Sequence, residues 1–363
     1  MGMTSKERMI KALRCEKPDK VPATIHQWQP YHLKNHMNNI SDIQAFKEVG
    51  LDAAISVYIP EPEQTASWKV TYTKRTENGN SITDYAIETP EGMLTYSSGC
   101  NDITTWILKP LIKRDEDIYL YKKYKPLPRY DKKILQLKYD ELGEEGIIRA
   151  FHAGNQGGCW QDACYLHGTE EMIMATFDKP EWVHEFLHIL LEEKLAFIYE
   201  SLKGAKADLI ETGGGSSSST VISPKLHEEF CLPYDIKIHE AIHEAGHIAV
   251  YHTCGGMIPI LDLIAANKCD ASETLSPPGV GGDITRPSIV KEKLGSKVAL
   301  IGGLDQFNVL TDGSRDDIRN EVFRIFEGYG PGGGYIMSAC DHFFNTEKEK
   351  LIWYAEAARE CIY

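Results

Sequence analysis

The chain has 363 residues, 42% of them hydrophobic and 25% charged, and its 39 Lys and Arg stand against 53 Asp and Glu for a net charge of −14. That composition supplies a large core and argues against intrinsic disorder. The acidic balance disfavours a nucleic-acid partner, which needs a basic face, and docking on an anionic membrane.

In chain order, residues 4–14 read as a short amphipathic helix with Met9, Ile10 and Leu13 on one side. Nothing in MGMTSKERMIKALRCEKPDK provides the apolar core of a secretory signal, and no later apolar run reaches the roughly 18 residues of a membrane span, so a cytoplasmic protein is expected. Val21–His26 and Ala53–Tyr58 have strand composition. Residues 68–99 are Thr/Tyr-rich segments split by Glu77-Asn78-Gly79-Asn80 and Pro90-Glu91-Gly92, the pattern of an antiparallel meander. Residues 110–146 read as a lysine-rich helical or irregular cover.

From residue 147 the rhythm becomes strand–helix alternation. Strands are expected at 147–152, 207–212, 248–253, 270–275, 298–304 and 335–339. Helices are expected at about 168–177, 181–203, 224–245 (kinked at Pro233), 257–266, 286–294, 312–328 and 346–361. With the two early strands, eight βα units predict an α/β protein built as a (β/α)8 TIM barrel in a single domain over 1–363, carrying a β-rich insertion at about 62–105. An open doubly wound sheet is the alternative, but it would want a GxGxxG fingerprint directly after the first strand, and none lies there. Gly213–Thr220, GGGSSSST, reads as a flexible loop, either a lid or a linker.

The strongest chemical signal is His252-Thr253-Cys254-Gly255 at the end of a predicted strand, with Cys340 at the end of the last one. Residues i and i+2 of a strand share a face, so His252 and Cys254 point together, and imidazole with thiolates favours zinc. Glu273 ends the intervening strand, and the strand ends of a barrel surround one mouth. The plain readings stand beside this one. Cys340 would serve equally as a small buried hydrophobe, and Glu273 as a capping or salt-bridge residue. Nine cysteines, an odd number, lie scattered along the chain, and Cys159 and Cys164, astride a Trp160-Gln161-Asp162 turn, read as structural.

HTCG, the later SAC, TSKERMIKAL, ETPEGMLTY, SPKLHEEFCLPY and IGGLD together resemble the uroporphyrinogen decarboxylase superfamily, specifically its zinc-dependent corrinoid methyltransferase branch. That resemblance implies a zinc held by His252, Cys254 and Cys340, with Glu273 as an exchangeable fourth ligand or its neighbour. It also implies methyl transfer as the activity, with a corrinoid (cobalamin) as cofactor. The Asp-x-His-x-x-Gly motif of proteins that carry cobalamin is missing, so the cobalt is expected on a separate corrinoid protein or as free cobalamin. The decarboxylases of the superfamily grip porphyrinogen carboxylates with an arginine-rich N-terminal segment. This chain has no Arg between Arg14 and Arg75 and instead reads His26-Gln27-Trp28-Gln29-Pro30-Tyr31-His32, which suits a small, weakly charged, partly aromatic substrate.

The expected reaction moves a methyl group between a small molecule and cobalt. A methoxylated aromatic undergoing O-demethylation is favoured, with a thiol of the coenzyme M type as the alternative acceptor and a metal-free decarboxylase-like lyase as the second alternative. Candidate substrate contacts are His152, Glu211 and Asp305 at predicted strand ends, His26 and Trp28 in the aromatic-rich N-terminal segment, and Trp160 beside Asn155. Each strand-end residue would serve equally as a salt-bridge or capping residue.

Overall fold

The computed structural model describes residues 2–58, 64–152 and 156–363. Among these residues twelve strands follow in chain order: β1 (Ala23–Thr24), β2 (Ala53–Val57), β3 (Lys69–Glu77), β4 (Asn80–Thr89), β5 (Gly92–Cys100), β6 (Thr105–Lys109), β7 (Gly146–Phe151), β8 (Leu209–Gly213), β9 (Ile248–His252), β10 (Ala271–Thr274), β11 (Ala299–Leu304) and β12 (Tyr335–Ala339). Eight of them form one all-parallel sheet in the order β1-β12-β11-β10-β9-β8-β7-β2. Asp52 joins its two ends: its amide donates to the Ala23 carbonyl at 2.8 Å, and its carboxylate accepts from the Ala23 amide at 2.9 Å. With helices between successive strands, this is the (β/α)8 TIM barrel that the alternation predicts.

The barrel interior is layered. Ala54, Ile147, Leu209, Val250, Ala271, Ala299, Ile301 and Ile336 make an apolar floor, and Met9, Ala12 and Leu13 of the N-terminal helix Ser5–Leu13 close it from below. Burial of Met9 and Leu13 stabilises this plug by about 2 kcal/mol each. Arg8 pins the same helix through Asp19 (2.8 Å) and Asp52 (3.0 Å). Above the floor, the inward positions of the strands turn polar.

Several boundaries differ from the sequence expectation. The strand expected over 21–26 pairs only at Ala23–Thr24. The helix expected over 224–245 is broken rather than kinked. Pro233 lies in the first turn of Leu232–Glu244, where it needs no amide partner, and Pro224–Phe230 is a separate helix. Trp160-Gln161-Asp162, read as a turn, lies inside the helix Cys159–His167. Helices at Pro30–His36 and Asp42–Val49 lie outside the expected set, although Ser41 caps the second and Gly50 ends it at φ +77°.

Between β2 and β7 the chain builds a separate antiparallel sheet in the order β3-β4-β5-β6. Its first hairpin turns at Asn78-Gly79, both at positive φ, as a two-residue turn requires.

Candidate metal centre at the barrel mouth

Moving up from the apolar floor, alternate residues of the strands bring Arg149 (β7), Glu211 (β8), His252 (β9), Glu273 (β10) and His26, just past β1, to one buried level. Arg149 is the cation among them. Its Nη2 donates to Glu211 Oε2 and to both oxygens of Glu273 (2.9 and 3.1 Å), and its Nη1 donates to the His26 carbonyl at 3.0 Å. Burial works against ionising Glu273, but Arg149 and then His26 hold its carboxyl well below the usual range, and Arg149 likewise lowers Glu211. His26, Glu211, His252 and Glu273 have the donor spacing of a metal site. The Arg149 guanidinium already supplies a positive charge beside this group.

Both carboxylates of this group lie beside His252. Its Nδ1 lies 3.0 Å from Glu273 Oε1 and 3.4 Å from Glu211 Oε1, and the latter oxygen has no hydrogen-bond partner among the described residues. Two carboxylates on one side make Nδ1 the protonated nitrogen and leave Nε2 facing upward. There Nε2 meets Cys254 Sγ at 2.5 Å, and that thiol donates to Asp341 Oδ2 at 3.2 Å. His252, Cys254 and Asp341 form a second group with metal-ligand spacing. An imidazole, a thiol and a carboxylate with no cation of their own can hold a metal ion.

Cys340 is buried beside Asp341 in the chain, and its thiol points to the Leu275 carbonyl at 3.8 Å. Burial pushes this thiol well up from its ordinary pKa, and burial also raises Cys254 while His252 pulls it back. Asp341 also accepts from His342 Nδ1 at 2.8 Å, which, with His26, holds its carboxyl low against its own burial. Beyond it, Tyr58 donates to Gln27 Oε1, and Gln27 Nε2 donates to His342 Nε2 at 2.6 Å. Sequence reasoning missed Asp341, His342 and Arg149. The dipeptide Asp-His directly after Cys340 was the available signal for the first two. A lone Arg inside an apolar strand was the signal for the third.

The substrate candidates fall in different places. His26 and Glu211 belong to the buried level just described. Trp28 packs edge-on against Phe46 and Phe343 with its indole N–H unpartnered among the described residues. His152 Nδ1 donates to the Glu211 carbonyl at 3.1 Å, and its titratable neighbours, Lys194 and His239, lie on helices outside the sheet. Trp160 donates to the Ser216 carbonyl at 3.0 Å from the helix layer. Asp305 caps a helical turn through the amides of Phe307 and Asn308. Asn155 lies outside the described residues.

The glycine- and serine-rich segment expected as a lid or linker is fastened on every side. Gly214 donates to the His252 carbonyl (2.7 Å), Ser216 to Gln161 (2.9 Å) and Ser219 to the Gly256 carbonyl (2.8 Å), while the Ser217 carbonyl accepts from His227 (2.7 Å). Thr220 accepts from the Gly256 amide at 2.7 Å. The segment clamps the turn that carries Cys254.

The imidazole–thiol–carboxylate group lies at the strand ends of the parallel barrel, the position where barrel enzymes keep their active sites. Residues 104–361 match the family described as Uroporphyrinogen decarboxylase (URO-D), and the chain belongs to that family. Among curated proteins it is similar to the uroporphyrinogen decarboxylases of Hydrogenovibrio crunogenus (29% identical over 197 residues, 51% of each chain) and Xanthomonas oryzae pv. oryzae (31% over 206 residues, 53% of each). The chain spans about half the length of the curated relatives it matches. Among solved structures, a methyltransferase from Methanosarcina mazei shares the fold with a TM-score of 0.70 at 16% identity over 99% of each chain. A B12-independent methionine synthase from a Shewanella species shares it with a TM-score of 0.50 at 10% identity over 95% of each. No described helix is long and apolar enough to cross a membrane.

Proposed function

We propose that this chain is a zinc-dependent methyltransferase that moves a methyl group between a small substrate and the cobalt of a corrinoid carried by a partner protein. One observation carries the reading. At the mouth of a barrel of this family, His252 Nε2 and Cys254 Sγ face each other, and Cys340 lies one residue from the carboxylate that bonds the same thiol. His252, Cys254 and Cys340 would hold the zinc, with Glu273 as an exchangeable fourth ligand or its neighbour and Asp341 the carboxylate already bonded to the Cys254 thiol. When bound, the ion supplies a Lewis acid that polarises an ether oxygen or keeps a substrate thiol as thiolate.

The chain's own residues prepare that site. Arg149 keeps Glu211 and Glu273 ionised. Glu273 Oε1 accepts a hydrogen bond from His252 Nδ1, with Glu211 Oε1 nearby at 3.4 Å, and this fixes the tautomer and ring orientation. Asp341 accepts the hydrogen bond of the Cys254 thiol. Tyr58, exposed and stacked on Phe151 with ring centroids 5.2 Å apart, supplies a flat apolar face. That face favours a methoxylated aromatic over a thiol of the coenzyme M type, which is the alternative acceptor. The curated relatives' name favours a decarboxylating lyase. Against that, Arg149 is engaged by two carboxylates of the chain itself, and no Arg lies between Arg14 and Arg75 to bind the carboxylates of a porphyrinogen.

The test is metal analysis of the purified chain, followed by methylation of Co(I) cobalamin with a panel of methoxyarenes, methylamines, methanol and thiols. About one zinc per chain and methylcobalamin formed from a methoxyarene are expected. A chain that binds no zinc and decarboxylates uroporphyrinogen would overturn the proposal.

A further inference from the structure

The antiparallel sheet plays no part in the site above, and its outer strand is open. Among the described residues β3 pairs with β4 alone, and of its nine residues only Val70 is even half-buried. The two-residue turn at Asn78-Gly79 makes Glu77–Asn80 a hydrogen-bonded pair, so Arg75, Thr73, Thr71 and Lys69 bond β4 in turn. The amides and carbonyls of Thr76, Lys74, Tyr72 and Val70 therefore point away from the sheet. Gln64 Oε1 takes the Val70 amide at 3.1 Å, which agrees with that outward direction and leaves the rest of the row free among the described residues. The strand has no proline and no bulge, and it is rich in Thr, Tyr and Val, the composition that pairs with a further strand.

We propose that β3 is the self-association edge of this protein, where two copies pair β3 to β3, antiparallel, about a two-fold axis through Thr73. Charge selects this register. An isologous antiparallel pair must place outward residues opposite outward residues, which leaves few choices. Centred on Tyr72, the pairing sets Lys69 against Arg75 of the other copy. Centred on Lys74, it sets Lys74 against Lys74. Like charges directly opposite destabilise a sheet. Centred on Thr73, Lys69 faces Glu77, Thr71 faces Arg75, Tyr72 faces Lys74 and Val70 faces Thr76. Only this register pairs the whole strand.

The side chains fit the arrangement. Arg75 is already held by Asp84 at 2.7 Å, whereas Lys69 and Lys74 have no ion-pair partner among the described residues. Lys74 Nζ lies 5.6 Å from the ring centre of its own Tyr72 and would gain a second ring across the axis. Tyr72, Tyr85 and Tyr96 already form a row across the face, with Tyr85 and Tyr96 stacked at 4.2 Å, and the pairing would continue that row into the second copy. The cations that discourage other strands from this edge thus admit one partner, the same strand inverted.

The test is sedimentation of the full chain over a range of concentrations, by analytical ultracentrifugation. A concentration-dependent dimer is expected. Lys69→Glu should weaken it roughly tenfold, because both symmetric Lys–Glu contacts become repulsive, and adding Glu77→Lys should restore it. Lys74→Pro should abolish it while leaving the β4 ladder, since the amide it removes points outward. Thr73→Cys, directly opposite itself, should give a disulfide-linked dimer under mild oxidation that the parent chain and Thr71→Cys do not give. A chain that is monomeric throughout, or a dimer indifferent to these substitutions, would overturn the proposal.

Discussion

His252 Nδ1 and Glu273 Oε1 lie 3.0 Å apart, on the side of the imidazole away from Cys254. The carboxylate thus orients the ring from behind, while Arg149 holds it from the other side at 2.9 Å. For the proposed zinc centre, Glu273→Gln should keep close to one zinc per chain, because His252, Cys254 and Cys340 remain. The affinity should fall about 10- to 100-fold, the usual effect of losing an outer partner of a metal-bound His. Cys254→Ala should lose the metal. Competition with a chromophoric chelator measures both, and equal loss in the two variants would make Glu273 a ligand of the same rank.

Arg149 stands between two carboxylates in a fully buried layer. Arg149→Met would leave Glu211 and Glu273 without their cation, and breaking a buried pair from one side costs about 3–5 kcal/mol. Urea unfolding at neutral pH should show a loss of that order. Adding Glu211→Gln and Glu273→Gln should recover part of it, because the stranded charges go with them. If the Arg149→Met chain is as stable as the parent, the layer is neutral without its guanidinium.

Asp235 offers a pH test away from the metal centre. Burial raises its carboxyl to about 7, and one of its oxygens has no hydrogen-bond partner among the described residues. The folded chain therefore keeps this proton between its ordinary pKa of 3.8 and about 7, where the unfolded chain releases it. The folded state binds more protons in that window, so the contribution of Asp235 to stability is full below the ordinary pKa and is lost as pH rises to about 7. At about 1.36 kcal/mol per pKa unit, the span is of the order of 4 kcal/mol. Asp235→Asn should be the more stable chain at pH 8, and its advantage should shrink toward pH 5. Thermal unfolding of both chains across that range measures the difference, and parallel curves would place the carboxyl in contact with solvent.

The βα alternation made the barrel legible, because each strand and helix period survives in the sequence and repeated parallel units close in few ways. His252, Cys254, Glu211, Glu273 and His26 were legible as residues at strand ends. The gathering of His26, Glu211, His252 and Glu273 around Arg149 at one buried level was not, because the partners of Arg149 come from strands far away in sequence. The helix Cys159–His167 hid behind its glycine-rich approach, and the segment at Gly213 looked loose because serines that bond neighbouring loops have the composition of a linker. Composition reports what a segment can do alone, whereas Gln161, His227 and Gly256 decide what this one does.

Gly255 tests that clamp. It sits at φ +112°, next to Cys254, and a Cβ there would lie 2.8 Å from Ser218 Oγ and 3.1 Å from Thr220 Oγ1. Gly255→Ala therefore meets both a backbone conformation that disfavours L-residues, costing about 1–3 kcal/mol, and two hydroxyls on the clamping segment. The strain falls on the loop carrying Cys254 rather than on the barrel floor. The expected result is a small drop in thermal stability together with a larger, at least roughly tenfold, loss of zinc affinity, since a displaced thiolate no longer meets His252. Ser218→Ala on the Gly255→Ala background removes the nearer hydroxyl and should recover part of the affinity, though not the backbone strain. Zinc titration and circular-dichroism melting separate the two effects. If Gly255→Ala binds zinc as the parent does, the turn yields without moving Cys254, and the clamp has no part in setting the metal site.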